Sequence, residues 1–145
     1  MLGVVRARRG DPEAWPRLEE ALAIAADKRD LQHLAPVAIA RTEAAELAGR
    51  PDLAHKASAS ALELALEREA AWVSGELALW RRRAGIDEPC PEGVAEPFAI
   101  HLSGDLERAA ERWRELGCPY EAALALADAD DRESLRRASS CRSCR

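Results

Sequence analysis

Apolar side chains recur every three or four positions along most of the chain, the spacing that lines one face of an α-helix. The pattern is clearest over 102–127, LSGDLERAAERWRELGCPYEAALALA. Leu106, Ala109, Ala110 and Trp113 fall at i, i+3, i+4 and i+7, and Tyr120, Ala123, Leu124 and Ala127 repeat that spacing. Gly104 closes the preceding helix, Asp105 caps the next one, Gly117 ends it in a left-handed conformation, and Pro119 opens its successor. Two short amphipathic helices joined by so few residues are expected to pack antiparallel, alanine against Trp, Tyr and Leu.

Looser versions of this unit fill the rest. Residues 1–9 read as the tail of a helix before the Gly10-Asp11-Pro12 break. Asp11 and Pro12 then launch a second helix with Leu18, Ala21, Leu22 and Ala25 on one face, where Pro16 implies a kink or a later start. Asp30 caps a third helix over 31–48, and Gly49 ends it despite Pro36 near its start. After Pro51 a stripe of Leu53, Ala57, Ser60, Ala61, Leu64 and Ala65 predicts a fourth, whose small residues permit close helix approach. A fifth, near 70–84, carries Trp72, Glu76, Leu79 and Arg83 on one line and Val73, Leu77 and Trp80 on the next. Prolines 89 and 91 make 86–93 a loop, after which a short helix presents Phe98 and Leu102. Asp130 and Glu133 resemble a capping box opening a last helix through Leu135.

The glycines repeat a context: ARRGDPEA, ELAGRPDLA, HLSGDLERA and RELGCPYEA. The expected fold class is therefore all-α, a right-handed solenoid of antiparallel helix hairpins built from degenerate tetratricopeptide-like repeats, spanning 1–138, with 139–145 a disordered tail. Trp113, Leu116, Gly117 and Tyr120 match the tetratricopeptide spacing W-x2-L-G-x2-Y, but in that repeat the pattern lies within one helix, whereas Gly117-Cys118-Pro119 reads as a break. The structural anchors expected from the pattern are Trp72, Trp80, Phe98, Leu106, Trp113, Leu116, Gly117, Tyr120 and Leu124.

Composition narrows the class. Leucine and alanine dominate, with one Phe and one Tyr, which favours helix nearly everywhere and predicts no sheet. A formal net charge of −5 argues against a surface for nucleic acid or anionic lipid. No apolar run reaches membrane-spanning length and no signal-peptide layout opens the chain, so a cytoplasmic location is expected. The four cysteines are too unevenly spread for a secreted disulfide framework, and the absence of Asn removes any N-glycosylation acceptor.

Candidate chemistry is thin. Cys141-Arg142-Ser143-Cys144 has the spacing of a zinc or redox pair, but only Cys90, Cys118 and the dispersed His33, His55 and His101 could complete a metal site, and a redox pair wants a βαβ context. Asp128, Asp130 and Asp131 lack the glycine and distal Glu of a calcium loop and read as helix-capping groups. Arg81, Arg82 and Arg83 read as a solvated helix end that complements the dipole. The histidines fall on three helices with no nucleophile at motif spacing, and are assigned surface or groove-lining places. No phosphate loop occurs. No catalytic, cofactor-binding or metal residue is assigned, and an enzyme using the cysteines or histidines ranks last.

Residues 77–131 resemble the helical-repeat region of large bacterial LuxR-type regulators, in Leu79-Trp80-Arg81, Glu96-Pro97-Phe98 and the run Leu116-Gly117-Cys118-Pro119-Tyr120-Glu121-Ala122-Ala123. The stretch 10–71 is compatible with that family and less specific. The resemblance implies an N-terminal ATPase module and a C-terminal helix-turn-helix flanking the repeats, and a role in sensing a ligand or partner. Neither module lies in this chain, so no residue is assigned ATP hydrolysis or DNA reading. After Arg137 the sequence turns to Ala-Ser-Ser-Cys-Arg-Ser-Cys-Arg, whereas a shifted frame through GC-rich codons can encode Glu-Leu-Leu-Gln-Glu-Leu. A frameshift near Ala138 is the expectation, and a gene with no downstream helix-turn-helix in any frame would remove it.

Two functions lead. One is a sensing and interaction region of such a regulator, binding a protein segment or small effector in the repeat groove. The other is a free-standing tetratricopeptide-like adaptor that binds a protein segment.

Overall fold

The structure, a computed structural model, describes residues 2–28 and 30–142, with side chains described over 3–26 and 30–130. Among the described residues all regular structure is helical: α1 (Leu2–Arg8), α2 (Ala14–Lys28), α3 (Leu31–Leu47), α4 (Pro51–Glu67), α5 (Ala71–Arg83), α6 (Glu96–Ser103), α7 (Leu106–Glu115) and α8 (Pro119–Arg142). The chain forms two compact units, Met1–Ala95 and Glu96–Arg145.

Local chemistry accounts for the ends of the helices. At α3, Asp30 Oδ1 accepts from the His33 backbone N–H at 3.0 Å, the cap expected from the sequence. Asp11 acts earlier than expected: its carboxylate accepts from the Glu13 N–H at 2.9 Å, and α2 begins at Ala14. Pro16 is thus the third residue of the helix, where its missing N–H costs no intrahelical bond. Pro36 is the sixth residue of α3 and leaves the Gln32 carbonyl without its helical donor. Asp105 occupies the cap position of α7, but its side chain makes no capping bond.

The expected break at Gly117 is present. Gly117 has φ of +72°, its N–H donates to the Arg114 carbonyl at 3.0 Å, and the Cys118 N–H donates to the Trp113 carbonyl at 2.9 Å. That pair of bonds is a Schellman closure, which needs a left-handed residue. The same closure ends α4, where the Glu69 N–H reaches Leu66 O at 3.1 Å and Ala70 N–H reaches Ala65 O at 2.8 Å, yet the left-handed residue is Glu69, at φ +53°. An L side chain there costs roughly 1–2 kcal/mol, partly offset because glycine loses more entropy on folding. Glu69→Gly is therefore expected to stabilise the chain by about 0.5–1 kcal/mol, read as a higher denaturation midpoint in urea with unchanged slope. A lower midpoint would mean that Glu69 supports the turn in some other way.

In the first unit α3 is the hub. It packs against α1, α2, α4 and α5, while α1 also packs on α2, and α4 on α5. Each of these extensive pairings joins helices one or two apart in sequence. Its seam with α4 and α5 is close because the side chains there are small. Leu77, fully buried, sits with Ala38 and Ala61, flanked by Ile39, Leu62 and Val73. The buried hydroxyls of Thr42, Ser58 and Ser74 bond back to the Ala38, Ala54 and Ala70 carbonyls, so none is left unsatisfied. Toward α1, Leu18, Ala40 and Ala44 form a second cluster with Val4, Ala7 and Trp15. A Cβ at Gly3 would lie 2.7 Å from Leu18 Cδ2, so glycine is what admits α1 this close to α2. Ion pairs join α3 to three neighbours: Glu43 with Arg8 of α1, Arg41 with Glu19 of α2 at 2.7 Å, and Glu46 with Arg83 of α5 at 3.3 Å.

In the second unit α7 packs against both α6 and α8. Phe98 meets Trp113 edge to face, centroids 4.9 Å apart at 74°. The fully buried Ala109, Ala110 and Ala125 complete its interior with Leu102 and Leu106. The last helix departs from the sequence reading. No break falls near Ala127 and no new helix starts at Asp130, because α8 runs on through Arg142, including residues 139–142 expected as disordered tail. Between Tyr120 and Arg142 there is neither glycine nor proline to stop it. The side chains of Asp131, Glu133, Leu135 and Cys141, and all of Cys144, lie outside the described residues.

Candidate functional site

The sequence marks no catalytic centre, so the site must be sought in the surface that the helices leave between them. A groove of about 420 Å³ runs between α2, α3 and α4. Its floor is alanine, at Ala38, Ala57 and Ala61, all buried. Small floor residues hold the backbones close and leave depth between the taller rims. Those rims are the half-buried Trp15, Leu22, Leu34 and Leu53, with Ser60 exposed at one edge. Two cations line the same groove, Arg41 from α3 and Lys56 from α4. Arg41 is largely buried, its side chain 14% exposed, and Nη2 donates to Glu19 Oε1 at 2.7 Å. Its Nε is buried with no hydrogen-bond partner. Lys56 is exposed and joins no ion pair among the described residues.

A second, more open depression lies between α3 and α5, lined by Leu31, Ala35, Pro36, Ile39, Val73 and Glu76, with Gln32 at its edge. Pro36 contributes twice here, by its apolar ring and by freeing the Gln32 carbonyl.

Three polar groupings differ from the sequence reading. Arg81 is no solvated helix end: it is 5% exposed, gives Nε and Nη2 to the Glu88 carboxylate at 2.6–2.9 Å, and gives Nη1 to Ser58 Oγ at 2.7 Å. It thereby ties the loop after α5 to α4, and its hydrogen bonds hold the Glu88 carboxyl below the usual carboxylate range, against the opposing effect of burial. Arg82 adds a bond to the Glu88 carbonyl at 2.7 Å. Asp128 is no cap but an interior residue of α8, and its Oδ2 lies 2.9 Å from His101 Nε2 of α6. His101 is accordingly buried, 3% exposed, while His33 and His55 are exposed. The groove-lining place given to the histidines does not hold for His101, because Asp128 draws it inward. Sequence reasoning also missed Glu43, a buried carboxylate answered by Arg8 thirty-five positions earlier.

The expected anchors divide. Trp80, Phe98, Leu106 and Trp113 are buried, Leu124 is half-buried, and Gly117 sits at the turn. Trp72, Leu116 and Tyr120 are corrected to the surface, at 55%, 40% and 42% exposure. All three sit at helix ends: Trp72 and Tyr120 are second residues of α5 and α8, and Leu116 follows the last residue of α7. A terminal turn has fewer neighbours to cover it. Trp80, two turns further into α5, lies inside, with the Arg83 guanidinium 5.5 Å from its ring centre.

Two cysteines have described side chains. Cys90 is exposed and Cys118 half-buried, both free, and partial withdrawal from water pushes the Cys90 thiol up against the pull of Arg82. Among the described residues no group of three His, Cys, Asp or Glu side chains is placed to hold a metal ion, and no helix is long and apolar enough to cross a membrane. What the fold and the groove define is an all-α protein with a concave, mixed apolar and cationic surface. No protein-family model, no curated protein and no solved structure matches the chain.

Proposed function

We propose that this chain is a helical-repeat interaction module that holds a segment of a partner protein in the groove between α2, α3 and α4. The observation that carries this reading is the groove itself, apolar on its rims, floored by alanine and long enough to be lined from Trp15 to Ala61 on three successive helices. The extensive pairing of helices one or two apart in the first unit supports a degenerate tetratricopeptide-like solenoid, in which each helix buries its face on sequence neighbours and one surface stays concave. The reading does not depend on flanking modules, and so favours an adaptor.

A random 12-residue peptide library panned against the whole chain tests it. Binders are expected whose attachment Leu53→Arg abolishes and Trp72→Ala, outside this groove, leaves intact. Binders indifferent to Leu53, or no binders, would overturn the assignment.

The LuxR-type reading places the same module between an ATPase and a helix-turn-helix, with a protein or small effector in the groove. It rests on the resemblance of residues 77–131, whose run Leu116–Ala123 spans the α7–α8 turn. Adjoining sequence that encodes neither module would remove it.

A further inference from the structure

We infer that the segment held between α2, α3 and α4 is acidic as well as apolar, and that Glu19 occupies Arg41 only until a carboxylate of the partner replaces it. The inference rests on the segment-binding reading above and specifies its partner. Arg41 carries five N–H donors in a planar fork suited to two carboxylate oxygens. Among the described residues it makes one hydrogen bond, to Glu19, and its buried Nε has none. A buried charged donor without an acceptor is costly, and Glu19 is the one anionic side chain that lines the groove. Glu19 is a weak holder: its side chain is 55% exposed, so release to water costs little. Lys56, on the α4 wall, adds a second positive charge without a partner among the described residues. The groove therefore has two cations against one displaceable anion, on a chain whose net charge is −5. A basic segment would be repelled, and a neutral one would leave Arg41 Nε and Lys56 unanswered. An Asp or Glu side chain flanked by leucine-like residues answers both while its apolar neighbours meet Trp15, Leu22 and Leu53.

The Leu53-sensitive peptides from the panned library decide the matter. They are expected to be enriched in Asp and Glu beside apolar residues. For such a peptide, replacing its carboxylates by amides should weaken binding about tenfold or more. Arg41→Gln should reduce that difference between acid and amide peptides to the part that Lys56 supplies. Glu19→Gln should tighten the acidic peptide roughly three- to tenfold by leaving Arg41 open. Leu53-sensitive binders without acidic preference would overturn this inference and leave the segment-binding reading standing, whereas the absence of Leu53-sensitive binders overturns both. If Arg41→Gln melts below the assay temperature, Glu19→Gln decides alone, and failure to tighten the acidic peptide refutes the placeholder role.

Discussion

Trp113→Ala is expected to destabilise the second unit by about 3–5 kcal/mol, the range for removing a fully buried aromatic side chain. Trp113 is 2% exposed and meets Phe98 edge to face. It is the largest side chain in a unit whose interior also holds the buried alanines 109, 110, 122 and 125. Alanine cannot extend into a vacated space, so the loss combines transfer free energy with an unrelaxed cavity. Trp113→Phe, which keeps an aromatic face toward Phe98, should cost markedly less. The measurement is urea denaturation followed by far-ultraviolet circular dichroism. A cost below about 1 kcal/mol would show that Trp113 does not organise these three helices.

Leu77→Ala should have a comparable effect on the first unit, about 2–5 kcal/mol and toward the upper end. Leu77 has no exposed surface, and its closest buried companions are Ala38 and Ala61. These small residues bring α3, α4 and α5 together, and the same smallness prevents them from filling the hole. Leu77→Met conserves most of the volume and is expected to cost less than about 1.5 kcal/mol. If Leu77→Ala and Leu77→Met proved equally mild, the three-helix seam would have to be held by its ion pairs and buried hydroxyls instead.

Helix positions were largely legible because they depend on neighbours in sequence. Asp30 three residues before an amide that needs an acceptor, Gly117 where a left-handed residue must stand, and Pro51 at a helix start all act over one turn of chain. The one closure without its glycine, at Glu69, gave no such signal. Asp130 misled for a related reason: an Asp can cap only where the chain leaves the helix, and from Tyr120 to Arg142 nothing makes it leave.

The groove was far less legible. Its lining comes from residues on three helices, and its concavity depends on alanines whose role is to be short. A small residue in a helical stripe reads the same whether it lies under a neighbour or on the floor of an open groove. Charges were misplaced likewise. Arg81 belongs to Glu88 across a loop, His101 to Asp128 across two helices, and Arg8 to Glu43 across thirty-five positions. No spacing rule announces such pairs, because they form only when packing excludes water and sets the partners within reach.

By itself the sequence determined that this chain is helical, where most helices start and stop, and that adjacent helices must share apolar faces, since backbone capping and periodicity are local physics. The tertiary structure alone decided which aromatic faces inward, Trp80 and Trp113 or Trp72 and Tyr120, and which cation lines the groove with its guanidinium half answered, since burial depends on what another helix covers.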